Sequence, residues 1–381
     1  MIRNSDLEKN LHIIAFDIPY PAVNGRKIDV LHTIIALHQI GIRIHLHCFS
    51  YSRVEEIALA KYCASVNYYE RSHGHKGFST HLPYIVSTRK NQTLLSNLLK
   101  DDYPILMEGI HSTYLLNDER FSSRKCFVRL HYVAFEYYKS LQLKATSLFK
   151  KIYYWNESRL LKKYENNISS KATFFMVKNS DNAIYQNKFN STKIKTLPPF
   201  IPFEEIKSLE GMGTYCLYHG DLSVDANEQA AIWLLKKVFN QFKVPLVIAG
   251  NNPSNKLIAL AHLHSHTCIV PNPTEKELQD MIAKAHINLL PSFIQTGVKI
   301  KLLNAIYNGR HCVVNEAIVA GTELAASCHI ATSANAFKEI VAQLYHQPFT
   351  LEEIRFREKL ILPIYKNHSN ALKIAEWIFG I

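Results

Sequence analysis

Gly297 lies between a strand-like run and a helix-spaced segment, and Lys299 and Lys301 follow it closely. The surrounding residues 291–310 read PSFIQTGVKIKLLNAIYNGR, in which VKIKLLNAIYN has helical spacing and Asn-Gly provides a stop. A helix start after a parallel strand gathers free backbone N–H groups and the positive end of the helix dipole, which suits phosphate. Glycine lets a ligand approach the backbone, and either lysine can add a charged contact. The alternative is a plain tight turn with solvated lysines.

Three further glycines are placed beside predicted strands. Gly25 opens a helix after the first strand, with Asn24 before it and Arg26 behind it in PAVNGRK. Gly220 and Gly250 each end a strand in the second half of the chain. A glycine at such a point lets a ligand come close to the backbone, although turn geometry alone also explains each of them.

Strands and helices alternate along the whole chain, which predicts parallel sheets wound on both faces by helices. In the first half the strands are predicted at Leu11–Pro19, Ile42–Phe49, Ser65–Tyr69, Ile105–Glu108, Cys126–Leu130, Thr173–Val177 and Ile194–Leu197. Helices are predicted there at Arg26–Ile40, Thr88–Leu99 and Ala134–Asn166. In the second half the strand-like runs are TYCLYHG, PLVIAG, TCIV, INLLP and HCVVN, separated by helix-like segments.

The segment LPPFIPFEEIKSLEGMG breaks this alternation with three prolines and two glycines, and it is the predicted linker. The chain is therefore divided into a first α/β domain at residues 1–198, a linker at 199–213 and a second α/β domain at 214–362. The last residues, 363–381, are predicted to form an amphipathic helix, and the first domain is one candidate for its packing partner.

Positive charge is concentrated in the first half of the chain. Residues 1–200 hold 28 Lys and Arg against 16 Asp and Glu, whereas the remaining residues hold 16 of each. This asymmetry predicts that the first domain meets an anionic partner, either a membrane surface, nucleic acid or a phosphorylated substrate.

Seven scattered cysteines without a CxxC spacing favour free thiols in a reducing compartment. The N-terminus MIRNSDLEKN has no apolar signal region, and no apolar run approaches membrane-spanning length, so a cytoplasmic location is expected. Residues 141–165 mix aromatic and aliphatic side chains with six basic residues, a composition typical of helices that lie on anionic lipid. A helix packed on its own sheet with a charged outer face is the alternative.

The stretch at 291–314 resembles the donor-binding motif of retaining glycosyltransferases with the GT-B fold, of the family 4 or group 1 type. Further stretches resemble that family in the expected order, and together they span nearly the whole chain. They are DIPYPAVNGRKIDVLHTIIALHQIG, RLHYVAFEYY, LYHGDLSVDANEQAAIWLL and PLVIAGNNP. The resemblance implies two tandem Rossmann-like domains with a cleft between them, the first binding the acceptor and the second the donor.

The resemblance also implies roles for particular residues in the second domain. Backbone amides around Thr296, Gly297 and Val298, with the side chains of Lys299 and Lys301, would hold the donor pyrophosphate. Asn304 would bind the donor ribose, and Gly220 and Gly250 would let the backbone pass close to the nucleotide. Thr296 and Asn304 stand where the family has glutamates, and Lys299 stands where it has a second glycine.

In the first domain the resemblance implies that His131 is the catalytic residue, placed near the transferred sugar as a neutral hydrogen-bonding ring. Asn24, Gly25 and Arg26 would form a loop that touches acceptor or phosphate. The activity implied is a hexosyl transfer from a nucleotide-diphosphate sugar to a glycan or lipid-linked acceptor with retention of configuration, in cell-surface polysaccharide biosynthesis. The protein would work in the cytoplasm, with peripheral contact to the inner face of the membrane.

No metal or other cofactor is expected, because no His, Cys, Asp and Glu cluster has ligand spacing in the sequence. The alternative function is a catalytically weakened relative that binds a nucleotide or a partner, motivated by the two missing glutamates. Nucleic acid is not an expected partner, because the sequence has no recognisable recognition module. A sugar-nucleotide epimerase would need catalytic carboxylates that the sequence does not supply.

Overall fold

The computed structural model of the protein describes residues 9–22, 24–51, 56–177, 179–189, 192–293 and 299–380. The chain forms two compact units, unit 1 with residues 1–202 and 365–381, and unit 2 with residues 203–364. Each unit is built on its own parallel sheet with buried apolar side chains on its faces. The predicted α/β class with two parallel sheets is confirmed.

Unit 1 has a sheet of seven described strands in the order β3-β2-β1-β4-β5-β6-β7, all of them parallel. The strands are β1 (Asn10–Ala15), β2 (Arg43–Ser50), β3 (Ser65–Glu70), β4 (Ile105–Glu108), β5 (Cys126–Leu130), β6 (Thr173–Met176) and β7 (Ile194–Thr196). The helices are α1 (Gly25–Gln39), α2 (Tyr84–Ser87), α3 (Gln92–Leu98), α4 (Ala134–Lys144), α5 (Leu148–Ile168) and α6 (Asn179–Phe189). Short 3₁₀ turns lie at Ile57–Lys61, Gly74–Gly77, Ile110–Ser112, Tyr114–Asn117 and Glu119–Phe121. The central strands are mostly apolar because both faces of the sheet are covered, and Glu108 of β4 and Arg129 of β5 are charged exceptions.

Two predicted helices of unit 1 have different bounds in the structure. The helix predicted at Thr88–Leu99 begins only at Gln92, because the Asn91 side chain accepts a hydrogen bond from Leu94 N at 3.0 Å and caps it there. The long helix predicted at Ala134–Asn166 is an antiparallel pair, α4 and α5, broken at residues 145–147.

The buried Glu165 of α5 supports the start of α4 in this hairpin. Its carboxylate accepts hydrogen bonds from the backbone N–H groups of Ala134 at 3.1 Å and Phe135 at 3.4 Å. These N–H groups have no partner inside their own helix, so a side chain from the neighbouring helix takes the place of a cap. Burial raises the pKa of Glu165 to about 8. The hairpin is therefore fixed by tertiary contacts that local periodicity does not reveal.

Unit 2 has a sheet of six described strands in the order β10-β9-β8-β11-β12-β13, again all parallel. The strands are β8 (Cys216–His219), β9 (Leu246–Gly250), β10 (Thr267–Pro271), β11 (Ile287–Leu289), β12 (His311–Val314) and β13 (His329–Ile330). The helices are α7 (Asp225–Trp233), continued by a π-helical turn at Leu234–Val238, then α8 (Asn255–His262), α9 (Glu275–Lys284), α10 (Ile300–Asn308), α11 (Glu316–Val319), α12 (Ala334–Leu344) and α13 (Leu351–Ile361), with a 3₁₀ turn at Glu323–Ser327.

The last helix, α14 (Asn367–Phe379), belongs to unit 1 and packs against α1. Trp377 of this helix lies 5.1 Å from the Phe175 ring, centre to centre. The Asn367 side chain accepts a hydrogen bond from Ile201 N at 3.1 Å and donates one to Ile201 O at 2.7 Å. The C-terminal residues therefore complete the hydrophobic core of the first unit.

Candidate functional site

A buried cluster of four charged side chains joins the helix after β1 to the ends of β4 and β5. Arg129 Nη2 lies 2.5 Å from Asp29 Oδ1, and its Nη1 lies 3.5 Å from Glu108 Oε2. His131 Nδ1 lies 3.0 Å from Asp29 Oδ2, and its Nε2 lies 3.0 Å from Glu108 Oε2. Two carboxylates and two cationic side chains thus alternate in a closed group that is hidden from solvent. Phe200 N adds a 2.7 Å hydrogen bond to Asp29.

The environment of His131 favours the imidazolium over the neutral ring that the resemblance implied. Burial opposes a charge on this ring, but hydrogen bonds and charges from Asp29 and Glu108 outweigh it and raise the pKa of His131. Burial would likewise raise the pKa of Asp29, yet Arg129 and His131 hold it below its ordinary value. With both ring nitrogens facing carboxylates of its own chain, His131 is held rigidly at the carboxyl edge of the sheet. Its catalytic role remains a prediction.

The predicted acceptor loop lies on the same edge of the unit 1 sheet. Asn24 caps α1, since its Oδ1 accepts a hydrogen bond from Lys27 N at 3.1 Å, and Gly25 is the first residue of that helix. Arg26 is exposed, and its guanidinium lies over the rings of Phe16 at 5.4 Å and Tyr132 at 5.6 Å. The structure therefore brings Arg26 next to the residue that follows His131.

Sequence reasoning missed three residues on this edge, namely Arg71, Arg89 and His111. Arg89 and His111 are buried, and Arg71 is half-buried. Arg71 and Arg89 come from the irregular stretch between β3 and α3, where no periodic pattern singles them out. The positions of Arg71, directly after β3, and of His111, three residues after β4, were the available signals.

In unit 2 the close approach of two predicted glycines is visible directly. A Cβ on Gly250, at the end of β9, would clash with the carbonyl oxygen of Gly220, just after β8. These neighbouring strand ends can therefore lie together only with glycine at position 250.

Lys301 of α10 reaches the same edge. Its Nζ donates hydrogen bonds to Asn227 Oδ1 at 3.0 Å and to Tyr218 OH at 3.4 Å, and it lies 3.6 Å from the place of a Cβ on Gly220. Burial, with repulsion from Lys299, lowers the pKa of Lys301 to about 7. An amine that is easily neutralised is thus held beside the carboxyl end of β8, where parallel α/β sheets bind ligands.

The other predicted donor residues have different surroundings. Lys299 is half-buried at the N-cap position of α10. Asn304 is buried, and its Oδ1 accepts a hydrogen bond from Asn308 Nδ2 at 2.9 Å. Thr296, Gly297 and Val298 lie outside the described residues. The ribose and phosphate contacts implied for these residues remain predictions.

One group of described side chains in unit 2 has the composition of a metal site. Ligand atoms of His311, His329 and Glu353 all lie within 4.8 Å of one another, and His311 Nδ1 is 3.6 Å from Glu353 Oε1. Two imidazoles and a carboxylate are a set that zinc accepts. His311 begins β12, however, so this group lies at the opposite edge of the sheet from Lys301.

The fold of the chain is similar to that of several solved structures. The structure superposes on TarM with a TM-score of 0.72 at 11% identity, covering 98% of this chain and 99% of that one. It matches a glycosyltransferase from Rickettsia africae ESF-5 with a TM-score of 0.63 at 12% identity, covering 97% and 98% of the two chains. Arabidopsis thaliana UGT89C1, solved with UDP-L-rhamnose, gives a TM-score of 0.57 at 12% identity over 98% and 99%. Two parallel α/β units with these likenesses define the GT-B fold of glycosyltransferases.

Sequence comparison finds similarity to one group of glycosyltransferases. Residues 213–347 match the family model described as "Glycosyl transferases group 1". The chain is also 25% identical over 315 residues to an "Uncharacterized 44.6 kDa protein in cps region" of Klebsiella pneumoniae, covering 78% of this chain and 80% of that protein. Residues 213–347 therefore match group 1 glycosyltransferases and the whole chain has the GT-B fold, and both findings support the resemblance that the sequence motifs indicated. Within the described residues, no helix is long and apolar enough to span a membrane.

Proposed function

We propose that this glycosyltransferase moves a hexose from a nucleotide-diphosphate sugar to a glycan or lipid-linked acceptor, with retention of configuration. The observation that carries the proposal is the position of Lys301 beside Gly220 and the end of β8, within the residues that match the group 1 family. A lysine amine held at the carboxyl end of a parallel strand suits a diphosphate, which is bound with two negative charges and gains a third when the sugar leaves.

The chemistry needs stabilisation of the leaving group more than it needs a strong base. The bond between the anomeric carbon and the donor phosphate oxygen breaks, and a bond forms between that carbon and the acceptor hydroxyl oxygen. The hydroxyl proton passes to the departing nucleotide diphosphate, on which negative charge develops. Lys301 and Lys299, together with N–H groups at the start of α10, would bind that charge. His131 would lie near the transferred sugar as a positive charge held in place by Asp29 and Glu108, which face both of its ring nitrogens. No metal ion is assigned a part in this step.

The biological setting follows from the relative in Klebsiella pneumoniae, which is described as lying in a cps region. We therefore propose polysaccharide biosynthesis for this chain as well, acting in the cytoplasm on an acceptor at the inner face of the membrane. The GT-B relative bound to UDP-L-rhamnose supports a nucleotide sugar as the donor class.

A screen of nucleoside diphosphates and their sugars by thermal denaturation tests the donor assignment. A ligand at about 100 times its Kd should stabilise the native protein by about 2.7 kcal/mol. Donors that bind would then be assayed for hydrolysis or transfer, with the anomeric configuration of the product read by NMR. Binding without turnover would favour the catalytically weakened relative. No binding by any member of the panel would contradict both the transfer and the nucleotide-binding form of that alternative.

Membrane contact is proposed for the end of the α4–α5 hairpin, which we call the hairpin tip. Its exposed apolar side chains are Leu143, Leu148, Phe149, Ile152, Tyr153 and Trp155. Phe149 is 87% exposed and Leu148 is 71% exposed, although side chains of this kind are normally buried. Exposed lysines accompany them at positions 144, 150 and 151. Apolar and aromatic side chains surrounded by lysines fit the surface of an anionic bilayer, where the rings enter the headgroup region and the lysines meet lipid phosphates.

A double substitution, Phe149→Ser with Trp155→Ser, is expected to reduce binding to anionic vesicles about tenfold or more. Each substitution removes a large apolar side-chain surface that would be buried in the lipid. Co-sedimentation with phosphatidylglycerol vesicles measures the effect, and phosphatidylcholine vesicles should bind the wild type weakly. Leu263→Ser, which alters a 77% exposed apolar residue of unit 2, serves as the matched control. Equal binding of the double variant and the control would remove the hairpin tip as the membrane contact.

A further inference from the structure

Three arginines of unit 1 converge around the end of β1, and no carboxylate partner is found for them in the part of the chain that the structure describes. Arg26 lies over the Phe16 ring, while Arg89 Nε donates a 2.8 Å hydrogen bond to the Phe16 carbonyl oxygen. Arg89 Nη1 and Arg71 Nε both approach the Thr88 hydroxyl oxygen, at 3.5 Å and 3.3 Å. The three guanidinium groups are therefore brought close together by their shared contacts with Phe16 and the Thr88 hydroxyl.

The carboxylates near these arginines are engaged elsewhere. Asp17, which follows Phe16, pairs with Lys27 at 3.0 Å, and Glu108 faces Arg129 and His131. Among the described residues, none of the three arginines forms an ion pair with Asp or Glu. Burial and the charge of Arg71 lower the pKa of Arg89 to about 9. Like charges held together at a cost in free energy are typical of a site completed by an anion.

A buried histidine and a tyrosine line the same place. His111 Nε2 lies 3.5 Å from Tyr132 OH, which is also 3.4 Å from Arg26 Nη1. His111 Nδ1 is buried and has no hydrogen-bond partner among the described residues. Burial and the surrounding arginines hold the pKa of His111 well below its ordinary value, so the ring stays neutral. It can then accept or donate one hydrogen bond without adding to the repulsion.

The arrangement is located where the acceptor of the transfer is expected. Phe16, His111 and Tyr132 follow β1, β4 and β5, so they all lie at the carboxyl edge of the unit 1 sheet. Tyr132 is also the neighbour of His131 in sequence. An anion bound by the arginines would thus lie beside the residue predicted to face the sugar.

We propose that Arg26, Arg71 and Arg89 form a subsite that binds the acceptor through a phosphate or diphosphate group. A phosphoryl group, with its higher charge and its larger number of oxygens, matches three guanidinium groups better than a carboxylate ligand does. The proposal rests on the proposed function, since it adds the chemical class of the acceptor to it. The phosphoryl group belongs either to a lipid carrier or to a free sugar phosphate.

Binding of inorganic pyrophosphate, measured by calorimetry, tests the subsite separately from the donor site. The background is a Lys299→Gln, Lys301→Gln variant, in which the predicted donor phosphate contacts are removed. Arg71→Gln or Arg26→Gln in this background should weaken pyrophosphate binding about tenfold or more, because each removes a charge-assisted contact. Both side chains are at least partly exposed, so unchanged melting temperatures should confirm that the variants fold. Arg89 is left intact because it holds two backbone carbonyls.

Arg43→Gln is the matched control, since it removes an exposed arginine at the opposite edge of the same sheet. If Arg71→Gln and Arg26→Gln bind pyrophosphate as tightly as Arg43→Gln does, the subsite is overturned. Binding of geranyl diphosphate distinguishes the two sources of the phosphoryl group. An Arg71-dependent affinity about tenfold above that of pyrophosphate assigns the group to a lipid carrier. An affinity equal to that of pyrophosphate assigns it to a free sugar phosphate. Failure of the proposed transfer would appear separately, as absence of turnover in the nucleotide-sugar screen.

Discussion

Asp29→Asn is expected to destabilise unit 1 by about 3–5 kcal/mol, the cost typical of breaking a buried ion pair. The substitution leaves two buried cations, Arg129 and His131, with only the Glu108 carboxylate to balance them. The uncompensated charge, rather than the loss of one contact, is the source of the cost. Thermal denaturation should show a lower melting temperature for the transition of unit 1, by about 10 °C for a unit of this size.

Asp280→Asn provides the control, because Asp280 is exposed on α9 in unit 2 and its change should alter stability by less than about 0.5 kcal/mol. A second readout separates charge from packing. Loss of the Asp29 carboxylate should lower the pKa of His131, which NMR titration of the imidazole resonances measures. If the Asp29→Asn variant has the melting temperature of the wild type and the same His131 titration, the four side chains do not act as a charge-balanced group.

This cluster illustrates where the sequence was informative and where it was not. The end of β5 was predicted, and with it the position of His131 at the edge of the sheet. The partner Asp29 lies 102 residues away in sequence, on α1, and nothing in the local pattern pairs the two. Contacts between distant elements fix the charge of the histidine, so a single sequence gives its place but not its protonation state.

The alternation of strands and helices was predictable because strands buried on both faces are nearly continuous apolar runs. Helix bounds were less predictable, as the division of residues 134–166 into α4 and α5 demonstrates. That division depends on Glu165, which supports the start of α4 from the far end of its partner helix. Arg71 and Arg89 were missed for a related reason, since they lie in irregular segments where periodicity carries no information.

Lys301→Gln is expected to weaken the binding of a nucleoside diphosphate about tenfold to a hundredfold at pH 7, since a charge-assisted contact to phosphate is lost. The wild type should in addition bind more weakly as the pH rises above 7. Without ligand, the Lys301 amine has a pKa of about 7, and a bound diphosphate would raise that pKa. Binding then takes up a proton in the interval between the two pKa values, and affinity should fall by up to about tenfold per pH unit there.

Calorimetry between pH 6.5 and pH 9 measures this dependence, and the Lys301→Gln variant should show a flat profile over the same range. Lys284→Gln changes an exposed lysine of α9 in the same unit and should keep both the affinity and the slope of the wild type. A terminal phosphate of the nucleotide loses its last proton near pH 6, roughly as a phosphorylated side chain does, so it contributes little above pH 7. A wild-type affinity that is independent of pH in this range would place the diphosphate away from Lys301. The hydrogen bonds from Lys301 to Asn227 and Tyr218 would then be structural, and the donor would have to be held by Lys299 and the backbone at the start of α10.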